Sequence, residues 1–504
     1  MKINPLDQLK INIPKEILDV YLKLKEAGFE AFFVGGCVRD ILLNKEPKDW
    51  DIATNATPDE IQNIFPDSVY ENQFGTVGVK TSSEDPRLKI VEITTYRLEG
   101  KYSDKRHPDE IKFAKTIEED LSRRDFTINA MALKCDPKLR IHPNAPNKCE
   151  LIDPFDGLID LKCKIIKTVG NPEERFNEDA LRLIRAIRFA TELGFKIEKE
   201  TRIAIKKYAG LLQMIAKERI RDEFIKIIMT ENAAQGVKML VDYGLIDFIA
   251  PELRQGIGVS QNKHHIYEVF EHSLRSLDYA AKKNYSLEVR LASLFHDIGK
   301  PKTKRGEGPE ATFYGHEIVG ARMTARILDR LHFPKDILEK VVHLVRYHLF
   351  YYNVGEVTAA GVRRFLHRVG PENVDDLIKV READRIGSGV PKAFPYKLRH
   401  LLFMIEKVKT DPISPKMLKV NGNDVMEILK IKPGPRIGWI LSILLEEVLD
   451  DPKRNTKENL ELRIKELGKL NDWELEKLAR SAKEKKDEFE SGIEEEMKKK
   501  YWIK

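Results

Sequence analysis

FFVGGCVRDILLNKEPKDWDIAT, residues 32–54, is the stretch on which the fold class of this chain turns. It reads as strand, glycine turn, helix, loop, strand. Residues 32–34 are a short apolar β-rich run, residues 38–43 return apolar side chains at helical spacing, and residues 52–54 begin a second strand. Between the first strand and the helix, Gly35 and Gly36 let backbone N–H groups approach a phosphate closely, and a helix start favours anions. Arg39 adds a charged fork for the same phosphates. On a strand, positions two apart share a face, so Asp49 and Asp51 point one way. Carboxylates that close repel unless a cation lies between them. A pair of Mg²⁺ ions roughly 3.5–4 Å apart, bridging a triphosphate, is the natural occupant. A neighbouring strand would supply a third carboxylate, and Glu92 in KIVEITTY (89–96) is the candidate.

Outward from this stretch, TVGVK (76–80), KIVEITTY and EIKFA (110–114) are strand-like. IPKEILDVYLKLKEAGF (13–29) and TPDEIQNIF (57–65) have helical spacing opened by proline. Residues 1–165 therefore read as an α+β head around a mixed sheet. From about Asn171 strand signals are scarce. NPEERFNEDALRLIRAIRFATELGF (171–195) has apolar residues at 181, 184, 187 and 189, with Gly194 as its stop. The expected division is a head (1–165), a helical neck (166–230), a helical body (231–400) opened by the loop QGIGVSQN (255–262), and a helical tail (401–504). The tail closes in KEKKDEFESGIEEEMKKK (483–500), read as a solvated helix face.

At 504 residues the chain is too long for one core. Its 87 basic and 81 acidic residues leave a formal charge of +6, which permits a polyanion partner without demanding one. Cys37, Cys135, Cys149 and Cys163 form no CxxC pair, so neither a zinc site nor a disulfide framework is expected. No apolar run follows a basic start, and none reaches about 18 residues, so a cytoplasmic protein with no membrane partner is expected. Monomer and homodimer stay open.

GGCVRDILLNKEPKDWDIAT (35–54) resembles the signature of class II CCA-adding enzymes and bacterial poly(A) polymerases, in the polymerase-β nucleotidyltransferase superfamily. The likeness extends over roughly residues 20–230. RRDFTINAMAL (123–133) resembles the family's ribose motif. The resemblance implies that Asp125 and a neighbouring arginine, Arg124 or Arg123, bind the sugar 2′-OH while Asn129 supports the phosphates. LIDPFDGLIDLK (151–162) and KERIRDEF (217–224) resemble the motifs that follow. In NEDALRLIRAIRFA (177–190), Asp179 and Arg182 are three apart and share a face on a helix. A carboxylate acceptor and a guanidinium donor together imitate a Watson–Crick edge and suit the amine carried by both C and A. The resemblance implies that this pair is the protein template for CTP and ATP. Arg185 and Arg188 continue the spacing, either as phosphate or tRNA contacts or as a solvated face. YRLEGKYSDKRHPDEIKFAKTIEEDL (96–121) matches the family's flexible loop, kept by relatives that add the final adenosine. Trp50 stands where Phe or Tyr is commoner, and the position stays aromatic.

FEHSLRSL (270–277), LASLFHDIGKP (291–301), GHEIVGA (315–321), VRYHL (345–349) and READRIG (381–387) form an ordered set resembling the HD phosphohydrolase superfamily. His272, His296, Asp297 and Asp384 are its candidate metal ligands. His316 and His348 are additional ones, with room for a second metal. Imidazole with carboxylate suits Mn²⁺, Ni²⁺, Fe or Mg²⁺ better than thiolate metals. The resemblance implies phosphatase and 2′,3′-cyclic phosphodiesterase activities. His264, His265, His332, His343 and His367 are read as structural.

These readings predict a Mg²⁺-dependent nucleotidyltransferase that adds CCA to tRNA from CTP and ATP without a nucleic-acid template. Competing readings are an A-adding tRNA nucleotidyltransferase, a poly(A) polymerase, and a metal-dependent phosphohydrolase acting on RNA 3′ ends. The tRNA is expected along head, neck and tail, with Arg363, Arg364, Arg368 and the tail lysines as candidate phosphate contacts.

Overall fold

The structure, a computed structural model, describes residues 13–70, 75–99, 111–135, 149–262, 266–350, 352, 357–389, 396–408 and 414–481. The central part of the flexible-loop segment, residues 100–110, the closing charge run and His264–His265 lie outside the described residues. The chain divides into two compact units. One comprises Met1–Gln255, Ala281–Leu287 and Arg326–Lys335; the other comprises Gly256–Ala280, Glu288–Ala325 and Asp336–Lys504.

The first unit is built on a mixed sheet. Its strands are β1 (Ala31–Val34), β2 (Asp51–Thr54), β3 (Ser68–Tyr70), β4 (Thr76–Lys80) and β5 (Ile90–Thr95). A separate two-stranded ribbon follows, β6 (Arg97–Glu99) with β7 (Ile111–Phe113), and then β8 (Ala132–Cys135) and β9 (Cys149–Ile152) complete the sheet. The sheet order is β3-β4-β5-β2-β1-β8-β9. Within this sheet only β2 and β5 pair in parallel. The five runs read as strands from the sequence are β1, β2, β4, β5 and β7, so the expected α+β head with a mixed sheet is what forms.

Packing fixes the residue between the two aspartates. Tyr21, from the helix Lys15–Glu26, stacks on Phe33 at 4.9 Å, and Phe33 meets Trp50 edge-on at 5.7 Å. All three rings are buried. Trp50 is committed to the core, and the strand opens only at Asp51, so Asp49 lies in the bend before β2 rather than on the strand expected from the sequence.

One expectation is overturned. Cys135 and Cys149 are disulfide-bonded, whereas the sequence spacing had argued against any such bond. Their separation along the chain hides that β8 and β9 pair antiparallel with these two residues directly opposite each other.

Helices form most of the rest of this unit, beside a small parallel ribbon of Ile165–Ile166 and Lys196–Ile197. Leu181–Leu193 ends at Gly194 in the left-handed conformation, as its position predicted, and packs with Lys217–Ile228 and Ala233–Asp242. The segment Arg326–Lys335 is tied to the same helical region: Arg330 binds the Glu252 carboxylate at 2.8 and 3.0 Å, and His332 bonds Glu218 at 2.6 Å.

The second unit is built from helices, with a single β-bridge between Arg305 and Thr312 among its described residues. It contains Ala359–Val369, Val374–Gly387, Tyr396–Val408, Gly422–Leu429, Pro435–Asp450 and Lys457–Leu467, most of Val269–Lys282 and of His316–Arg330, and all but the first residue of Leu287–Phe295 and of Lys335–Tyr347. Two arginines offered for phosphate contact have other duties. Arg363 is buried and donates to the carbonyls of Leu449 and Asp450, at the C-terminal end of Pro435–Asp450. Arg364 pairs with Glu446 at 2.6 Å and with Asp450. A helix that ends with unpaired carbonyls attracts guanidinium groups, and both arginines sit beside such an end.

Candidate active site and metal centre

The sheet register assembles the first acidic cluster. Asp51 on β2 pairs with Glu92 on β5, so the third carboxylate chosen from sequence lies beside the second on the neighbouring strand. Asp49 is exposed and Asp51 half-buried. Burial pushes the Asp51 carboxyl up to about 6; Arg124 opposes this and Asp49 adds to it. A carboxylate lifted by desolvation and a like charge is one that a divalent cation stabilises, so Asp51 fits as a metal ligand.

Gly35 is required where it stands. Its φ is +74°, and a side chain there would meet Arg124 Nη1 at 2.9 Å and Asp51 Oδ2 at 3.3 Å. Backbone, guanidinium and carboxylate thus converge on one turn.

Behind that turn runs a buried polar chain. Arg39 Nη1 donates to Asn129 Oδ1 at 2.9 Å, while its Nε and Nη2 bind Asp40. Asn129 Nδ2 donates to Asp125 at 3.3 Å, and Arg185 binds the other Asp125 oxygen at 2.5 and 2.9 Å. Burial would raise the Asp125 carboxyl, but Arg185, together with Arg182 and Asn129, holds it at about 2. Arg185 is therefore part of the ribose-motif cluster, and Arg188 is a partner of Glu223 at 2.6 Å with its guanidinium 4.0 Å from the Phe189 ring. Neither arginine belongs to a freely solvated face.

The pair expected to read the base, Asp179 and Arg182, does not share one continuous helix. The chain breaks between Pro172–Glu178 and Leu181–Leu193, and Asp179 sits in the break in an extended conformation. Its carboxylate caps the second helix by accepting from Leu181 N at 2.9 Å and lies 3.7 Å from Arg219. Arg182, in the first turn of the second helix, binds Glu178 at 2.6 Å and the Arg123 carbonyl at 3.0 Å. An Asp near a helix start favours the capped break over continuous helix, which periodicity alone does not reveal.

Several residues were missed. Glu178 holds Arg182, Glu223 holds Arg188, Arg219 faces Asp179, and Asp160 accepts from Thr127 at 2.7 Å beneath the ribose motif. Asp120, almost wholly buried, holds both Arg123 and Arg124. Glu178 and Asp120 precede their arginines by three or four residues, a signal the sequence does carry.

The second cluster lies in the other unit. His272 comes from Val269–Lys282, His296 and Asp297 from the turn after Leu287–Phe295, and Asp384 from Val374–Gly387. Ligand atoms of these four lie within 4.8 Å of one another, as do those of Asp297, His316 and His348. All six residues are buried. His272 Nε2 lies 3.0 Å from Asp297 Oδ2 and 3.3 Å from Asp384 Oδ1; His316 Nε2 lies 3.4 Å from Asp297 Oδ1. His296, His316 and His348 each place Nδ1 against the backbone carbonyl three residues earlier, at 2.7–2.9 Å. That bond fixes the tautomer and leaves Nε2 as the inward lone pair a cation needs. Burial would lower the His296 imidazole, yet Asp297 and Asp384 push it up to about 10. The cluster demands positive charge, and its donors fit divalent metal. Lys300 on Asp297 (2.7 Å) and Arg381 on Asp384 (2.5 Å) were not anticipated.

Gly299, in the HDIGK turn, makes this convergence possible. A Cβ there would stand 2.2 Å from the His316 carbonyl and 2.6 Å from Gly320 N. Only glycine lets the start of His316–Arg330 press against the turn that carries His296 and Asp297.

Comparison with known proteins agrees with this division of labour. Residues 31–167 match the poly A polymerase head domain, residues 194–256 the probable RNA and SrmB-binding site of polymerase A, and residues 269–387 the HD domain. A CCA-adding enzyme of Ligilactobacillus salivarius is 46% identical over 241 residues, a match that covers 47% of this chain and only 55% of that protein. One from Enterococcus faecalis is 32% identical over 448 residues, covering 88% of this chain and 94% of its own length. The crystal structure of the Bacillus stearothermophilus CCA-adding enzyme in complex with CTP superposes with a TM-score of 0.67 at 28% identity, over 90% of this chain and 96% of that one. Among the described residues no helix is long and apolar enough to cross a membrane. With a nearly full-length relative and a polymerase head whose carboxylates fall in register, this chain belongs to the family of CCA-adding enzymes.

Proposed function

We propose that this protein adds CCA to the 3′ end of tRNA from CTP and ATP, without a nucleic-acid template, in the cytoplasm. The observation that carries the reading is the Asp51–Glu92 register on β2 and β5, set against the Gly35 turn and Arg124. Asp49, Asp51 and Glu92 hold Mg²⁺. Mg²⁺ held there would supply the positive charge for joining the tRNA 3′-OH to the α-phosphate as pyrophosphate is released. Gly35, Gly36, Arg39 and Arg124 receive the triphosphate. Asp125, with Arg124 beside it, faces the sugar, while Asn129 braces Arg39 from below. Asp179 and Arg182 offer an acceptor and a donor to the base, and Glu178 keeps the Arg182 guanidinium from swinging away. The head (1–165) and neck (166–230) carry this chemistry. The body (231–400) holds the HD centre, and the tail (401–504) grips RNA.

The buried six-residue cluster favours a second activity in the same chain. Ni²⁺, Mn²⁺ or Mg²⁺ held there would supply an activated water for attack on a phosphate ester. His272, His296, Asp297, His316, His348 and Asp384 hold the metal, and the activity is that of a phosphatase or 2′,3′-cyclic phosphodiesterase on RNA 3′ ends.

The test is incubation with tRNAs lacking CCA, CA or A, offering CTP and ATP separately. Two cytidines followed by one adenosine are expected. Adenosine added only to tRNA ending in CC would make the protein an A-adding enzyme, and no extension of any of the three would overturn the reading.

A further inference from the structure

Asp120 stands out among the charged groups that the reaction, as read above, does not use. It lies in the helix Ile117–Ser122 and is 1% exposed. Oδ1 accepts from Arg123 Nε at 3.0 Å and Nη2 at 2.8 Å; Oδ2 accepts from Arg124 Nη2 at 3.3 Å. The amide of Arg97, the first residue of β6, donates to Oδ1 at 3.4 Å. Burial would raise this carboxyl, yet Arg123 and Arg124 hold it below the usual range.

A buried carboxylate with this set of partners is costly to keep unless its partners are held for a purpose. The purpose lies at the far end of Arg124. While Nη2 is anchored on Asp120, Nη1 reaches the place a Gly35 side chain would take, where Asp51 Oδ2 also converges. A long arginine without an anchor samples many rotamers and forms a strong pair with any nearby carboxylate. At this turn the nearby carboxylate is Asp51, which must remain open to metal. We propose that Asp120 is a positioning residue for nucleotide transfer: it holds Arg124 at the Gly35 turn, ready for the triphosphate and kept from closing onto Asp51. The inference rests on the functional reading above and adds a residue to it. Asp120 touches neither substrate nor metal and acts through Arg124 alone.

The experiment is a double-mutant cycle on the full chain, with tRNA lacking CCA and with CTP and ATP as donors. Asp120→Asn should lower kcat/KM for both nucleotides by about ten- to a hundredfold, with KM for tRNA unchanged. In an Arg124→Ala background the same change should cost less than about threefold, because the group it positions is gone. A purely structural carboxylate would cost the same factor in both backgrounds, and that result overturns the proposal. Should Asp120→Asn melt early, Arg124→Lys decides the matter. Its shorter cation cannot reach Asp120 and the Gly35 turn together, so it should lose at least about tenfold; full activity would overturn the proposal. An inactive parent would overturn the functional reading itself, which the same assay registers first.

Discussion

Asp49 and Asp51 flank a tryptophan that the core holds fast, so that anchor survives loss of either carboxylate. Replacing either with alanine should leave the fold and tRNA binding intact and reduce nucleotide addition at least about a thousandfold. Incorporation within tenfold of the parent would remove both from the reaction. Asp179→Ala or Arg182→Ala should do something different, raising UTP and GTP incorporation relative to CTP and ATP. Loss of speed with selectivity intact would move base reading elsewhere. Asp125 makes a pH prediction. Its carboxyl is depressed to about 2 in the folded protein, so it stabilises the fold above its ordinary value near 3.8 and loses that effect as pH falls toward 2. The contribution at neutral pH is about 2 kcal/mol. In urea unfolding, the stability gap between the parent and Asp125→Asn should narrow by about 1 kcal/mol between pH 5 and pH 3. A constant gap would show that Arg185 does not hold the carboxylate. At this scale the sequence was most readable. Asp51 and Glu92 were paired from residue type and strand spacing alone. The ion pairs of Glu178, Glu223 and Asp120 were not, because an acid beside an arginine is ordinary on any helix surface and only burial distinguishes these.

Elements were legible where a periodic pattern had room to show itself. The helices Lys15–Glu26 and Pro58–Ile64 and the end of Leu181–Leu193 at Gly194 are where proline, apolar spacing and glycine placed them. The three-residue strands β3 and β6 are too short for alternation to register, and β8 is the tail of a motif read for its chemistry. The disulfide depends on register between β8 and β9, which no local pattern encodes. It closes a loop of 14 residues and should contribute roughly 2–3 kcal/mol, by the loop-entropy account. Cys135→Ser should lower head stability by that amount, whereas the oxidised parent, unfolded without reductant, should titrate two thiols of its four. Four reactive thiols would mean that the bond does not form. Gly299→Ala should force the start of His316–Arg330 away from Asp297, costing about 1–3 kcal/mol. Metal content of the HD centre should fall while nucleotide addition persists. Full metal occupancy in that variant would remove the close approach from the argument.

At the scale of the whole molecule, the two acidic clusters belong to different units and share no ligand. His296→Ala combined with Asp297→Ala should abolish phosphohydrolysis and leave CCA addition largely unchanged. Head and HD activities should also differ in metal preference on one preparation, Mg²⁺ for the oxygen-only set and Ni²⁺ or Mn²⁺ for the imidazole set. Loss of CCA addition in the double variant at normal stability would place the HD residues within the polymerising machinery. The division into units has a consequence for synthesis. A ribosome releases Asp49, Asp51 and Glu92 early, and Asp125, Asp179 and Arg182 soon after. The unit that contains them nevertheless waits for Arg326–Lys335, which emerges after His296 and Asp297. Until those residues emerge, the nascent polymerase lacks the contacts of Arg330 with Glu252 and of His332 with Glu218. A message cut before codon 326 would thus encode every residue proposed for the nucleotide site and still omit a segment that belongs to the same compact unit.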